Sequence, residues 1–203
     1  MTPARLTEGE VIRGIRRVVA PAAGVRVGIG DDAAVLEPSP GTTLVATTDL
    51  LLEDIHFRRR YAEPADVGWK ALAVNLSDIA AMGARPRWAL VALACPAEAT
   101  PDEVEAFYEG LQALGRLHDV TVVGGDTTAS PAGWLVNVTL LGETAGAPLL
   151  RSGARPGDVV AVTGALGRSA AGLAMLERDV APEGLAPAVL ADVTAAHLRP
   201  TPR

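Results

Sequence analysis

Pro64-Ala-Asp-Val-Gly-Trp-Lys-Ala-Leu-Ala-Val-Asn-Leu-Ser-Asp-Ile-Ala-Ala-Met-Gly83 is the stretch that decides the fold. Trp69, Leu72, Ala73, Leu76, Ile79 and Ala80 fall on one helical stripe. The spacing predicts a helix over 64–82, with Gly83 as its C-terminal cap. On its N-terminal side, 43–52 reads as a long strand, preceded by a short strand at 25–29 and an extended apolar segment at 33–36. Before those, the stripe Val11, Ile12, Ile15, Val18 and Val19 predicts a helix over 7–20. Thr7 and Glu10 form a capping box there, and Leu6 and Val11 a hydrophobic staple. On its C-terminal side come a strand at 87–94, a helix from Thr100 to about Leu117, and strands at 120–123 and 134–142. Thr100 and Glu103 form a second capping box, with Pro101 at the first helical position.

The resulting order is α, β, β, α, β, α, β, β. Mixed order with long segments predicts an α+β fold: a mixed sheet with helices packed on one face. Residues 142–157 are rich in Gly, Ala and Pro and read as a connector. A domain boundary is expected near residue 150. Residues 1–145 form the N-terminal domain, and 151–203 begin a second α/β domain. That second unit should open with a strand at 159–163 and a helix from about Gly164 to Glu177. It is short for an independent domain and has no evident closing element, so the chain reads as incomplete.

Composition narrows the function classes. Net charge is −6 with a hydrophobic fraction of 49%, which supplies a core and offers no basic face for nucleic acid. Lys70 is the only lysine and Cys95 the only cysteine, so no internal disulfide is possible. No signal-like N-terminus and no span-length apolar run is present. The expectation is a cytoplasmic protein without membrane or nucleic-acid partners.

Four acidic stretches carry the chemistry: Gly28-Ile-Gly-Asp-Asp32, Thr47-Thr-Asp49, Asn75-Leu-Ser-Asp78 and Gly124-Gly-Asp-Thr-Thr128. Gathered by one fold, such carboxylates suit Mg²⁺, which takes oxygen ligands and bridges protein carboxylates to substrate phosphates. Strand alternation places Thr47 and Asp49 on one face, and Thr47 or Thr48 would add an oxygen. Lys70, Val74 and Asp78 form one row of the helix. Each stretch taken singly is also ordinary turn or surface chemistry. His56, seven residues beyond Asp49, is placed for a ligand contact. Arg151 and Arg155 suit phosphate recognition but also suit a solvated surface. Gly164–Ser169 would serve an anion at a helix start, or simply a strand-to-helix turn. Cys95 reads as a buried small residue.

These residues resemble the thiamine-monophosphate kinases, in the superfamily of aminoimidazole ribonucleotide synthetase, selenophosphate synthetase and a hydrogenase maturation factor. The resemblance runs through 28–35, 47–57, 69–84, 123–128, 151–158 and 164–173, in order. It implies ATP-dependent phosphorylation of thiamine monophosphate to thiamine diphosphate. It implies several Mg²⁺ ions on Asp32, Thr47 or Thr48, Asp49, Asp78 and Asp126. His56 would contact thiamine monophosphate, while Tyr108, Gly125, Asp126 and Arg151 would meet ATP. A homodimer formed through the sheet is also implied. The sequence departs from the family pattern at Asp54, where Gly is common, and lacks the Asp-x-Ser-Asp-Gly element of the family's second half. Two other readings stay open: a non-catalytic Mg²⁺- and nucleotide-binding dimerisation module, or a superfamily enzyme with another acceptor.

Overall fold

A computed structural model describes residues 8–19, 22–178 and 183–203. The cap and staple read at Leu6 and Thr7 lie outside the described residues. The elements run α1 (Glu8–Val18), β1 (Val25–Val27), β2 (Val35–Leu36), β3 (Thr43–Leu52), α2 (Pro64–Ala81), β4 (Arg85–Cys95), α3 (Pro101–Leu117), β5 (Thr121–Ala129) and β6 (Leu135–Thr144). A short 3-10 turn (Arg151–Gly153), α4 (Arg168–Arg178) and α5 (Pro187–Leu198) follow. The fold is α+β, as expected.

The main sheet has the order β3-β6-β4-β5. β6 is antiparallel to both neighbours, and β4 and β5 are parallel, so the sheet is mixed. Alternation sorts the strands into two faces. Val91, Leu93, Val136, Val138 and Leu140 are buried beneath α2 and α3. Leu44, Ala46, Thr48 and Leu50 of β3 lie on the opposite, open face. Each fully buried Val, Leu or Phe of the covered face contributes about 1.5–3 kcal/mol of transfer free energy.

α2 and α3 cross at backbone contact. A Cβ on Gly68 would fall 1.9 Å from Phe107 O, and one on Gly110 would fall 1.9 Å from Ala65 O. α2 ends in a Schellman motif: Gly83 N–H donates to Ala80 O, Ala84 N–H donates to Ile79 O, and Gly83 takes φ 67°. The Thr100–Glu103 capping box forms as expected, with both reciprocal hydrogen bonds present. α2 carries a second box, Glu63–Asp66, that a Ser/Thr-based reading passes over.

Three elements differ from expectation, and one of them is α5, a helix that the sequence reading did not include. β5 does not stop at Val123 but continues through Gly124-Gly-Asp-Thr-Thr128. The glycines serve close strand approach, since a Cβ on Gly125 would meet Val91 O at 1.8 Å. Residues 159–163 form no strand: Val159 and Val160 are 89% and 94% exposed. Their apolar character suits a strand, but a strand's hydrogen bonds come from a neighbour, and no described residue supplies one. α4 and α5 pack on each other at Gly172, where a Cβ would fall 2.0 Å from Val193 O. They reach the sheet unit through Trp69 Nε1, which donates to Pro200 O at 2.9 Å, and through Arg58 and Arg60, which both pair with Glu177.

Candidate active site

The sequence-predicted carboxylates fall into two constellations. On the covered face, Thr47 Oγ1 donates to Asp78 Oδ2 at 2.8 Å, joining the β3 edge to α2. Thr47, Asp49 and the buried Leu51 share that face, as alternation predicts. Burial, and then the negative charge of Asp78, raises the Asp49 pKa; His56 opposes the shift. Asp78 and His56 therefore both stand near enough to Asp49 to act on its carboxylate.

His56 is exposed, on a tight turn after β3. Its N–H donates to Leu52 O at 2.9 Å, and Leu52 N–H donates to His56 Nδ1 at 3.1 Å. Accepting that amide leaves Nδ1 without a proton, so the neutral ring presents Nε2–H outward as a donor. Asp54 in the same turn adopts φ 65°, the left-handed region where Gly is strain-free and Asp is tolerated. The departure at Asp54 therefore preserves the turn.

The second constellation lines a groove of about 990 Å³ between α1, the 28–36 loop and the β5 edge. It contains Asp32, Gly125, Asp126 and Tyr108, together with Asn137 and Thr139. Asp31 Oδ1 accepts the Asp32 amide at 2.9 Å, and both carboxylates are exposed at the groove. Asp126 is exposed and pairs in register with Ala92, which in turn pairs with Asn137. Thr48 belongs to this side: its hydroxyl lies 3.0 Å from both Asn137 Nδ2 and Thr139 Oγ1. The two threonines thus serve opposite faces of the sheet. Asn137 and Thr139 escaped the sequence reading, although polar residues at every second position of an apolar strand were the available signal.

The chain does not gather all four carboxylates in one place. Among the described residues no group of three or more His, Cys, Asp or Glu is spaced to hold a metal ion. Asp49 on β3 and Asp126 on β5 stand on opposite outer strands. Arg151 is exposed on the 3-10 turn and does not line the groove. Tyr108 is buried in α3, and burial raises its pKa. Burial also pushes the Cys95 thiol up to about 12, an inert core residue as read. No helix among the described residues is long and apolar enough to cross a membrane.

Comparison with known proteins places this geometry. Residues 30–144 match the family described as AIR synthase related protein, N-terminal domain. The chain is 46% identical over 160 residues to the thiamine-monophosphate kinase of Bacillus subtilis (strain 168), covering 78% of this chain and 49% of that protein. The crystal structure of thiamine-monophosphate kinase from Stenotrophomonas maltophilia K279a superposes with a TM-score of 0.83 at 41% identity, over 98% of this chain and 62% of that one. A structure described as AaThiL complexed with AMPPCP and TMP superposes with a TM-score of 0.74 at 43% identity, over 86% of this chain and 54% of that one. The chain spans about half the length of the curated relatives it matches. With more than half of its residues inside the family match, the chain belongs to the AIR synthase related proteins and carries their N-terminal domain.

Proposed function

We propose that the chain is the metal- and nucleotide-binding part of an ATP-dependent kinase that converts thiamine monophosphate to thiamine diphosphate. The observation that carries the reading is the placement of His56 beside the Asp49–Asp78 pair, in a chain 46% identical to a thiamine-monophosphate kinase. The ligand-bound relative, with an ATP analogue and TMP, supports the same pair of substrates. Residues 1–145 act as the binding and dimerisation domain, and 151–203 as the beginning of a second domain. The protein works in the cytoplasm as a homodimer.

Residue chemistry fits Mg²⁺. Asp49 and Asp78 offer like-charged oxygens that destabilise one another unless a cation sits between them. Asp49, Asp78 and Thr47 would hold Mg²⁺ on the covered face; Asp32, Asp126 and Thr48 would do so at the groove. Bound there, Mg²⁺ would neutralise the phosphates of donor and acceptor. The chain's own residues position. Gly125, Tyr108 and Arg151 are the nucleotide contacts, Gly125 through its backbone at the groove. His56 offers Nε2–H to thiamine monophosphate. The acceptor phosphate is already a nucleophile, so no protein base is required. Orientation and electrostatics supply the rate.

The test is direct. The 203-residue protein is mixed with MgATP and thiamine monophosphate, and thiamine diphosphate is followed by chromatography against an Asp126→Asn control. Product above the control supports the kinase. Mg²⁺-dependent ATP binding without product assigns the chain binding alone, and absence of both removes the reading.

A further inference from the structure

None of the roles above uses Lys70. It is half-buried on α2, and no described carboxylate pairs with it. Its ammonium instead donates to the His56 carbonyl at 3.1 Å and lies 3.4 Å from His197 Nε2 on α5. An ammonium has donors only, so Nε2 must be the unprotonated, accepting nitrogen. The ring proton then sits on Nδ1, 3.2 Å from Ser169 Oγ in the first turn of α4. His197 is a buried polar residue whose pKa is pushed down to about 4, first by burial and then by Lys70. That agrees with a neutral ring.

A relay therefore runs from Ser169 through His197 and Lys70 to the backbone of the His56 turn. Burying a cation beside a carbonyl and an imidazole, rather than a carboxylate, costs desolvation free energy, and it lowers the Lys70 pKa. What the arrangement fixes is the position of the turn. We propose that Lys70 is a positioning residue, tying the His56 turn to the α4–α5 unit so that docking of that unit sets where the His56 ring stands. Its consequence for thiamine monophosphate rests on the reading of His56 above; the positioning itself does not.

The experiment uses the 203-residue chain with Lys70→Met, Lys70→Arg and His197→Gln. Amide hydrogen exchange is followed at Ile55 and His56, whose N–H groups both donate to Leu52 O. Lys70→Met and His197→Gln should raise exchange there by about tenfold, with Leu90 and Val138 unchanged, and Lys70→Arg should restore part of the protection. Titration should show thiamine monophosphate binding weakened about fivefold in Lys70→Met with MgATP binding intact. Wild-type exchange at Ile55 and His56 in Lys70→Met overturns the proposal. If that variant does not fold, the same measurement on His197→Gln decides. A loosened turn in a protein that never binds thiamine monophosphate upholds the positioning and removes the substrate reading instead.

Discussion

Asp49 shows at residue scale how function and stability oppose each other. Burial and Asp78 raise its pKa, so the native state holds that proton more tightly than the unfolded chain. The sign follows: without metal, this group's contribution to stability falls as pH rises through the carboxylate range. Asp49→Asn removes the repulsion, so its metal-free melting temperature at pH 7 should rise above that of the wild type. Added Mg²⁺ should raise the wild-type melting temperature by more than the variant's, which keeps only the groove carboxylates. A variant less stable than wild type, or one that responds to Mg²⁺ as strongly as wild type, sinks the assignment. Much at this scale was legible in the sequence. Alternation alone put Thr47 with Asp49, because side-chain direction on a strand is a local property. Which threonine serves which constellation was not legible, since Thr48 is fixed by Asn137 and Thr139, residues 89 and 91 positions away.

Elements were legible where their ends are written locally. Thr100-Pro-Asp-Glu103 opened one helix and Gly83 closed another as read, because capping is a bond between near neighbours. β5 was misjudged because Gly124-Gly125 signals a turn in isolation, while the need for glycine arises from Val91 on another strand. The α2–α3 crossing is of the same kind. Gly110→Ala would place a methyl 1.9 Å from Ala65 O, where only backbone can move. Overpacking of this sort costs about 1–3 kcal/mol or more, and urea unfolding should show a lowered midpoint; an unchanged midpoint would mean the helices do not cross here. α5 carries a pH signature. The groups facing His197 are Lys70 on α2, Glu177 and Ser169 on α4, and Tyr61 before α2; Lys70 lowers its pKa, while Glu177 and the Ser169 bond raise it. Its folded pKa of about 4 lies below the ordinary 6.5. The stability it contributes is therefore full above 6.5 and lost as pH falls toward 4. Melting temperature should decline across that window, and His197→Gln should flatten the decline; parallel pH profiles would count against a neutral, docked His197.

For the whole molecule, the sheet has one covered and one open face, and the sequence hints at why. β3 carries apolar residues at both parities: Val45 and Leu51 inward, Leu44 and Leu50 outward. The outward pair remains 49% and 45% exposed in the single chain. β3 is also an outer strand of ten residues, with no Pro or Lys to discourage pairing along its free edge. A sequence shows that both faces are apolar but not what covers the second one, because that partner is not local to the strand. The homodimer proposed above supplies it. Leu44→Glu with Leu50→Glu leaves the covered face intact, so far-UV circular dichroism should match wild type. Each charge would be desolvated in the interface, and every 1.4 kcal/mol is tenfold in affinity, so the dimer dissociation constant should rise about a hundredfold or more. Sedimentation equilibrium reads this directly. A wild type that sediments as a monomer would leave the open face without its proposed cover. A double variant that stays dimeric would place the interface elsewhere on the molecule.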